Sequence, residues 1–90
     1  MDLREAVNHA ISVVVDLFAD QEISDVGLEE VDASNTDRIW RITVGFYRPW
    51  DNKPSNALAA LALSKDKQLR TYKVVGINMD DGSLAYIRNR

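Results

Sequence analysis

The chain contains one histidine, His9, followed by Ser12 and Asp16. Imidazole, hydroxyl and carboxylate are the components of a nucleophilic triad. Here all three lie along one predicted helix, where the ring cannot serve both partners. A metal set fares no better, because position 13 is Val13 and the chain has no cysteine. Glu29 and Glu30 are adjacent in a predicted strand. Alternation sends them to opposite faces and denies them an acid–base dyad. Asp80, Asp81 and Gly82 lack the run of oxygen ligands and the distal glutamate of a calcium loop, and read as a turn. A glycine-rich phosphate cradle is missing. The expectation is recognition rather than catalysis, with no catalytic, cofactor-binding or metal-ligating residue and no cofactor.

Two constellations suit recognition. The first is basic and aromatic: Arg38, Arg41, Arg48, Arg70, Lys73 and Arg88, with Tyr47 among them. Arg41, Lys73 and Arg88 would form an anion-binding sheet face, a mixture that phosphate contact and base stacking require. The competing reading is cross-strand pairing with acids such as Glu29 or Glu30. The second constellation is the connection at 48–66, "RPWDNKPSNALAALALSKD". Pro49 and Pro54 forbid an internal strand, and Ser55 is placed to cap a short helix. A structureless connection of this length is uncommon in a compact domain and is often functional. Trp50, Leu58, Leu61 and Leu63 either fold onto the open end of the sheet or form an exposed apolar patch for a partner.

The elements that position these residues follow from periodicity. Leu3, Val7, Ala10, Ile11, Val14, Leu17 and Phe18 recur at helical spacing, behind a capping box of Asp2 and Glu5. A helix is predicted over 3–20, its β-branched run 13–15 held by burial rather than propensity. Gly27 marks a turn or kink, and 28–33 is a short first strand. Residues 34–37, "SNTD", carry turn chemistry. In 38–47, Trp40, Ile42, Val44 and Phe46 point to the core, while Ile39, Arg41, Thr43, Gly45 and Tyr47 point outward. A third strand spans 68–78, with a bulge expected at Val75–Gly76. Residues 79–82 turn on Gly82. The last strand, 83–89, sets Leu84 and Tyr86 on one face and Ala85 and Ile87 on the other.

Ninety residues make one domain, 1–90. Helix, strand, strand, long loop, strand, strand is an α+β order, with one helix packed on a curved four-stranded antiparallel meander. Residues 1–37 carry ten acids against one base, a charge of −9, and residues 38–90 carry ten bases against four acids, +6. The net is −3 with pI near 5.0, which argues against nucleic acid as the main partner. Without an apolar leader or a run of about 18 apolar residues, the expected location is the cytoplasm, with no membrane contact.

Residues 72–87, "YKVVGINMDDGSLAYI", resemble the terminal hairpin of PepSY-like small domains. Tyr72, Val74, Asn78, Gly82 and Leu84 take the places of that family's Tyr-x-Val strand, its Asp or Asn, its turn glycine and the apolar residue that follows. The helix and "GLEEVDASNTDRIWRITVGF" look like small bacterial domains of the same build. The resemblance implies a role in binding or inhibiting peptidases; family members are mostly exported or membrane-attached. The layout is also similar to the cystatin arrangement, and Pro49–Trp50 matches the cystatin Pro-Trp loop. Val74–Val75–Gly76 lacks the cystatin glutamine and follows Pro-Trp instead of preceding it, so cystatin-type protease inhibition is not carried over.

The function expected is a non-enzymatic protein-binding module: an inhibitor, immunity or regulatory subunit. It would contact a partner, or a second copy of itself, through Tyr47, Arg48, Trp50, Leu58 and Leu61. The alternatives are a nucleic-acid-associated protein using Arg41, Lys73 and Arg88, and a small-molecule site between helix and sheet. The latter would need room that Val13–Val15, Phe18 and Trp40 are expected to fill.

Overall fold

The computed structural model describes residues 1–49 and 69–90. The expectation of a short helix at 55–63 and the placements of Trp50, Leu58 and Leu61 lie outside the described residues. Helix α1 spans Leu3–Leu17 and is followed by a 3-10 turn at Ala19–Gln21. Four strands follow: β1 (Ser24–Ser34), β2 (Ile39–Tyr47), β3 (Thr71–Asn78) and β4 (Leu84–Asn89). They form one antiparallel sheet in the order β1-β2-β3-β4. The architecture is α+β, with α1 lying over β1, β2 and β3.

The helix begins where Asp2 accepts a hydrogen bond from the Glu5 N–H at 2.8 Å. Such a cap is worth about 1 kcal/mol. The helix ends earlier than the apolar spacing suggests. Phe18 leaves helical geometry (φ −107°), and Glu22 closes the 3-10 turn in the left-handed region (φ 53°). Ala6, Ala10 and Val14 are its buried residues. Leu3, Val15 and Leu17, expected in or near the core, are exposed. The centre of the stripe that meets the sheet is therefore small, with Val7, Ile11 and Phe18 partly buried at its flanks. Two alanines let the helix approach closely, and bulk comes from the strands.

That bulk is Ile42, Val44 and Phe46 from β2 with Val75 and Ile77 from β3, all fully buried. Each such side chain contributes roughly 1.5–3 kcal/mol on burial. Trp40 is only partly buried against this cluster, as are Phe18, Val31 and Ile87. Phe18 meets Phe46 with ring centroids 5.6 Å apart, which ties the end of the helix to the end of β2.

Three expectations about the strands are corrected. β1 is longer than 28–33, and Gly27 lies inside it at a register irregularity rather than at a turn. A second shift, between Leu28 and Glu30, inserts Glu29 as an extra residue. The bulge near Gly76 belongs to the partner strand. β3 keeps unbroken register with β2, while the step from Gly76↔Tyr86 to Ile77↔Leu84 leaves Ala85 as the additional residue on β4. Leu84 and Tyr86 are consequently separated rather than sharing a face.

The two hairpin turns lie side by side. Met79 N–H donates to Arg38 O at 2.9 Å, and the Arg38 guanidinium meets Asp80 at 2.8 Å. In the second turn Gly82 adopts φ 74°, and Gly82 N–H donates to Asn78 O at 2.8 Å. Asp81 accepts from the Ser83 N–H and hydroxyl, at 2.9 and 2.7 Å. Asp80 and Asp81 thus both serve the turns, in keeping with the reading of 79–82 as a turn. No helix among the described residues is long and apolar enough to cross a membrane.

Candidate functional site

The face of the sheet away from α1 is set by the residues that alternate with the core. On β2 these are Arg41, Thr43, Gly45 and Tyr47, between buried Ile42, Val44 and Phe46. Register places Gly76 and Asp32 on either side of Arg41, and Val74 and Glu30 on either side of Thr43. Arg88 lies opposite Val74 and Tyr86 opposite Gly76. A shallow depression of about 150 Å³ lies here, lined by Glu30, Asp32, Arg41, Thr43, Val74, Arg88 and Arg90.

Of the three expected anion-binding residues, the structure brings Arg41 and Arg88 together and excludes the third. Lys73 is opposite Val44, so it belongs to the helix face. Its ammonium lies 5.4 Å from the Phe18 ring centroid and donates to Asn89. A lysine between Tyr72 and Val74 reads as outward only if the strand phase slips, and β3 does not slip.

The remaining cations are largely engaged. Arg41 is paired with Asp37, four residues away. That hydrogen bond, working against some desolvation, holds the Asp37 carboxyl below the usual aspartate range and raises the Arg41 guanidinium. Asp81 is also held low, chiefly by the Ser83 N–H. Arg90 reaches Glu30 at 3.6 Å and stacks on Tyr72 at 5.1 Å. Arg88 lies over the Tyr86 ring at 5.0 Å.

Arg70 is the most embedded of these cations, and it was absent from the reduced set drawn from the sequence. Its guanidinium meets Glu29 at 3.1 Å, donates to Asp25 O at 2.9 Å and lies 4.7 Å over the Tyr47 ring. The sequence separates Arg70 from Asp25 by 45 residues, so only the strand pairing could reveal the contact. The same cluster overturns the expectation that Glu29 and Glu30 face opposite ways. The bulge puts Glu29 over Gly45, on the same outer face as Glu30.

The other candidate residues gather at one end of the sheet. Tyr47 lies beneath Arg70, and Arg48 donates to Gln21 Oε1 at 3.0 Å with its guanidinium 5.8 Å from the Phe46 centroid. Leu17, at the end of α1, and Leu69, two residues before the partner of Phe46, share this end. His9, Ser12 and Asp16 are spread along α1. Among the described residues, no group of three or more His, Cys, Asp or Glu side chains is placed to hold a metal.

The outer face is charge-compensated, and an anion would have to displace carboxylates already in place. Apolar area remains at the sheet end and along the flank of β1. Comparison with protein-family models, with curated proteins and with solved structures finds no match for the chain.

Proposed function

We propose that this chain is a non-enzymatic protein-binding module, an inhibitor, immunity or regulatory subunit, built as a cystatin-like or PepSY-like small domain. Its contact surface is the sheet end where Tyr47 and Arg48 lead into the 48–66 segment. One observation carries the reading. Among the described residues the two most exposed large apolar side chains, Leu17 at 59% and Leu69 at 60%, lie at the same end of the sheet as Tyr47 and Arg48. Aromatic and arginine side chains flanked by apolar area are the usual anchors of protein interfaces when desolvated.

The nucleic-acid alternative draws less support. Arg41, Arg70 and Arg90 are engaged by carboxylates, and Lys73 is on the other face. It predicts retention on single-stranded DNA or RNA that falls steeply with salt.

The test combines light scattering after size exclusion with a pull-down from the organism that carries the sequence. Leu17→Glu with Leu69→Glu, and separately Trp50→Ala, should reduce self-association or partner capture while leaving the melting temperature nearly unchanged. Unchanged assembly and capture in both variants would remove the proposal.

A further inference from the structure

The opposite flank of the molecule carries a second surface. β1 is an edge strand, and among the described residues nothing pairs with its outer side. Edge strands are commonly protected by lysine, proline or bulges. β1 has neither lysine nor proline. Its irregularities fall between Ser24 and Gly27 and between Leu28 and Glu30, and from residue 30 to residue 34 its pairing with β2 is regular. Five residues of orderly edge therefore remain open.

The two faces of this stretch differ in chemistry. On the outer face are Glu30 and Asp32, across from Thr43 and Arg41. On the helix face are Val31 and, beyond the bulge, Leu28, which with Leu3, Arg4, Val7 and Asn8 line an open groove of about 390 Å³. Leu3 and Leu28 are 45% and 46% exposed. α1 forms the wall of this groove and β1 its floor. A strand added to the edge would send alternate side chains into the groove and the others beside the two carboxylates.

We propose that residues 30–34 of β1 accept an extended segment of a partner protein as a fifth strand, one in which apolar residues alternate with arginine or lysine. This rests on the reading of the chain as a binding module and deepens it, on a surface distinct from the sheet end. Charge decides between occupants. Symmetric antiparallel pairing of two β1 edges about Asp32 would set Asp32 against its own copy, and like charges directly opposite are destabilising. A cationic strand meets the opposite situation at both Glu30 and Asp32.

The experiment measures binding of the intact chain to a fluorescein-labelled hexapeptide of alternating valine and arginine, by anisotropy at low ionic strength. Controls are the valine–glutamate peptide and a valine–arginine peptide N-methylated on alternate amides, on either edge in turn. The valine–arginine peptide should bind, with the glutamate peptide at least about tenfold weaker, as two reversed charge pairs dictate. Methylation of one edge should abolish binding, because the added strand depends on its backbone donors. Asp32→Lys should weaken binding about fivefold or more, with only a small drop in melting temperature from the lysine it sets opposite Arg41. Absence of binding, equal binding by both methylated peptides, or no effect of Asp32→Lys would each overturn the proposal. So would self-association that Asp32→Lys abolishes, since a second copy would then occupy the edge. If the peptide fails while Leu17→Glu with Leu69→Glu still loses its partner, only the edge assignment falls.

Discussion

Gly76 lies in the middle of β3, and the Tyr86 ring lies directly across it. A β-carbon at position 76 would fall 2.5 Å from Tyr86 Cε2, 2.6 Å from Cζ and 2.9 Å from Cδ2. Carbon atoms in contact prefer about 3.5–4.0 Å, so in Gly76→Ala the ring must retreat by about 1 Å or more. Two effects then compete. Alanine gains about 0.5–1 kcal/mol over glycine inside a regular element, because the unfolded chain loses freedom. Forcing a packed ring off its seat costs typically about 1–3 kcal/mol. The ring loses the strand beneath it, and Arg88, whose guanidinium lies 5.0 Å from the ring centroid, must adjust with it. The expected balance is a destabilisation of about 0.5–2 kcal/mol, or roughly 3–12 °C in melting temperature for a domain of this size. Thermal and urea unfolding followed by circular dichroism would measure it. The discriminating step is the double-mutant cycle. In a Tyr86→Ala background the obstruction is gone, and Gly76→Ala should change sign and stabilise by about 0.5–1 kcal/mol. If Gly76→Ala stabilises the protein with Tyr86 in place, or the two substitutions are additive, the ring does not rest on the glycine and the reasoning fails.

Further expectations concern single groups. The Tyr86 hydroxyl is buried with no hydrogen-bond partner among the described residues, so Tyr86→Phe should be neutral or stabilising by up to about 1 kcal/mol; a loss larger than that in urea unfolding would reveal a partner for the hydroxyl. Glu22 holds φ 53° and ψ 44° at the end of the 3-10 turn, a conformation that costs an ordinary L-residue about 1–2 kcal/mol. Glu22→Gly should raise the urea midpoint at unchanged slope, and a lowered midpoint would mean that the carboxylate has a structural role. Asp37 has its carboxyl held low by Arg41, so its contribution to stability is present above the unfolded value near pH 4 and is lost as pH falls through the lower folded value. Asp37→Asn should flatten the acid side of the melting curve below about pH 4, and parallel curves for the two proteins would contradict the pairing.

The sequence was most legible where a residue had one physical job. Asp2 before an apolar stripe gives the cap at the observed position, and the alternation of Trp40, Ile42, Val44 and Phe46 gives β2 to within a residue. Gly82 gives the second turn. Legibility failed where position depended on a neighbour. The left-handed residue of the first turn is Arg38, not an asparagine or aspartate of "SNTD". Its carbonyl accepts from Met79 and its guanidinium bonds Asp80, both partners in the other hairpin. The bulge in β1 could not be read from an ordinary run of strand residues, and without it Glu29 falls on the wrong face. Lys73 was misplaced by assigning irregularity to β3 when the extra residue lay in β4. The helix was overextended because Phe18 continues the apolar spacing, yet it reaches Phe46 from the non-helical cap position and a 3-10 turn follows.

The misplaced outer-face residues trace to how the sheet closes its second face. Described residues supply no second layer on that side, yet Thr43 is 95% buried and Gly45 and Gly76 are buried too. The cover comes from long side chains. Glu29 and Arg70 lie over Gly45, Tyr86 lies over Gly76, and Arg90 lies over Tyr72 on its way to Glu30. Glycines in the two central strands leave the space those side chains fill. In a meander that keeps sequence order, β1 sets Glu29, Glu30 and Asp32 at one edge, while Arg88 of β4 and Arg90 just beyond it stand at the other. A partner docking on the outer face would first have to lift Arg70, Arg90 and Tyr86 and separate the carboxylates they meet. A partner docking on the β1 edge would leave that cover in place, with Glu30 exchanging one weak pair for another. The proposed β1 edge is therefore a place where contact costs the fold little, and the face that composition alone recommends is the one the fold already uses.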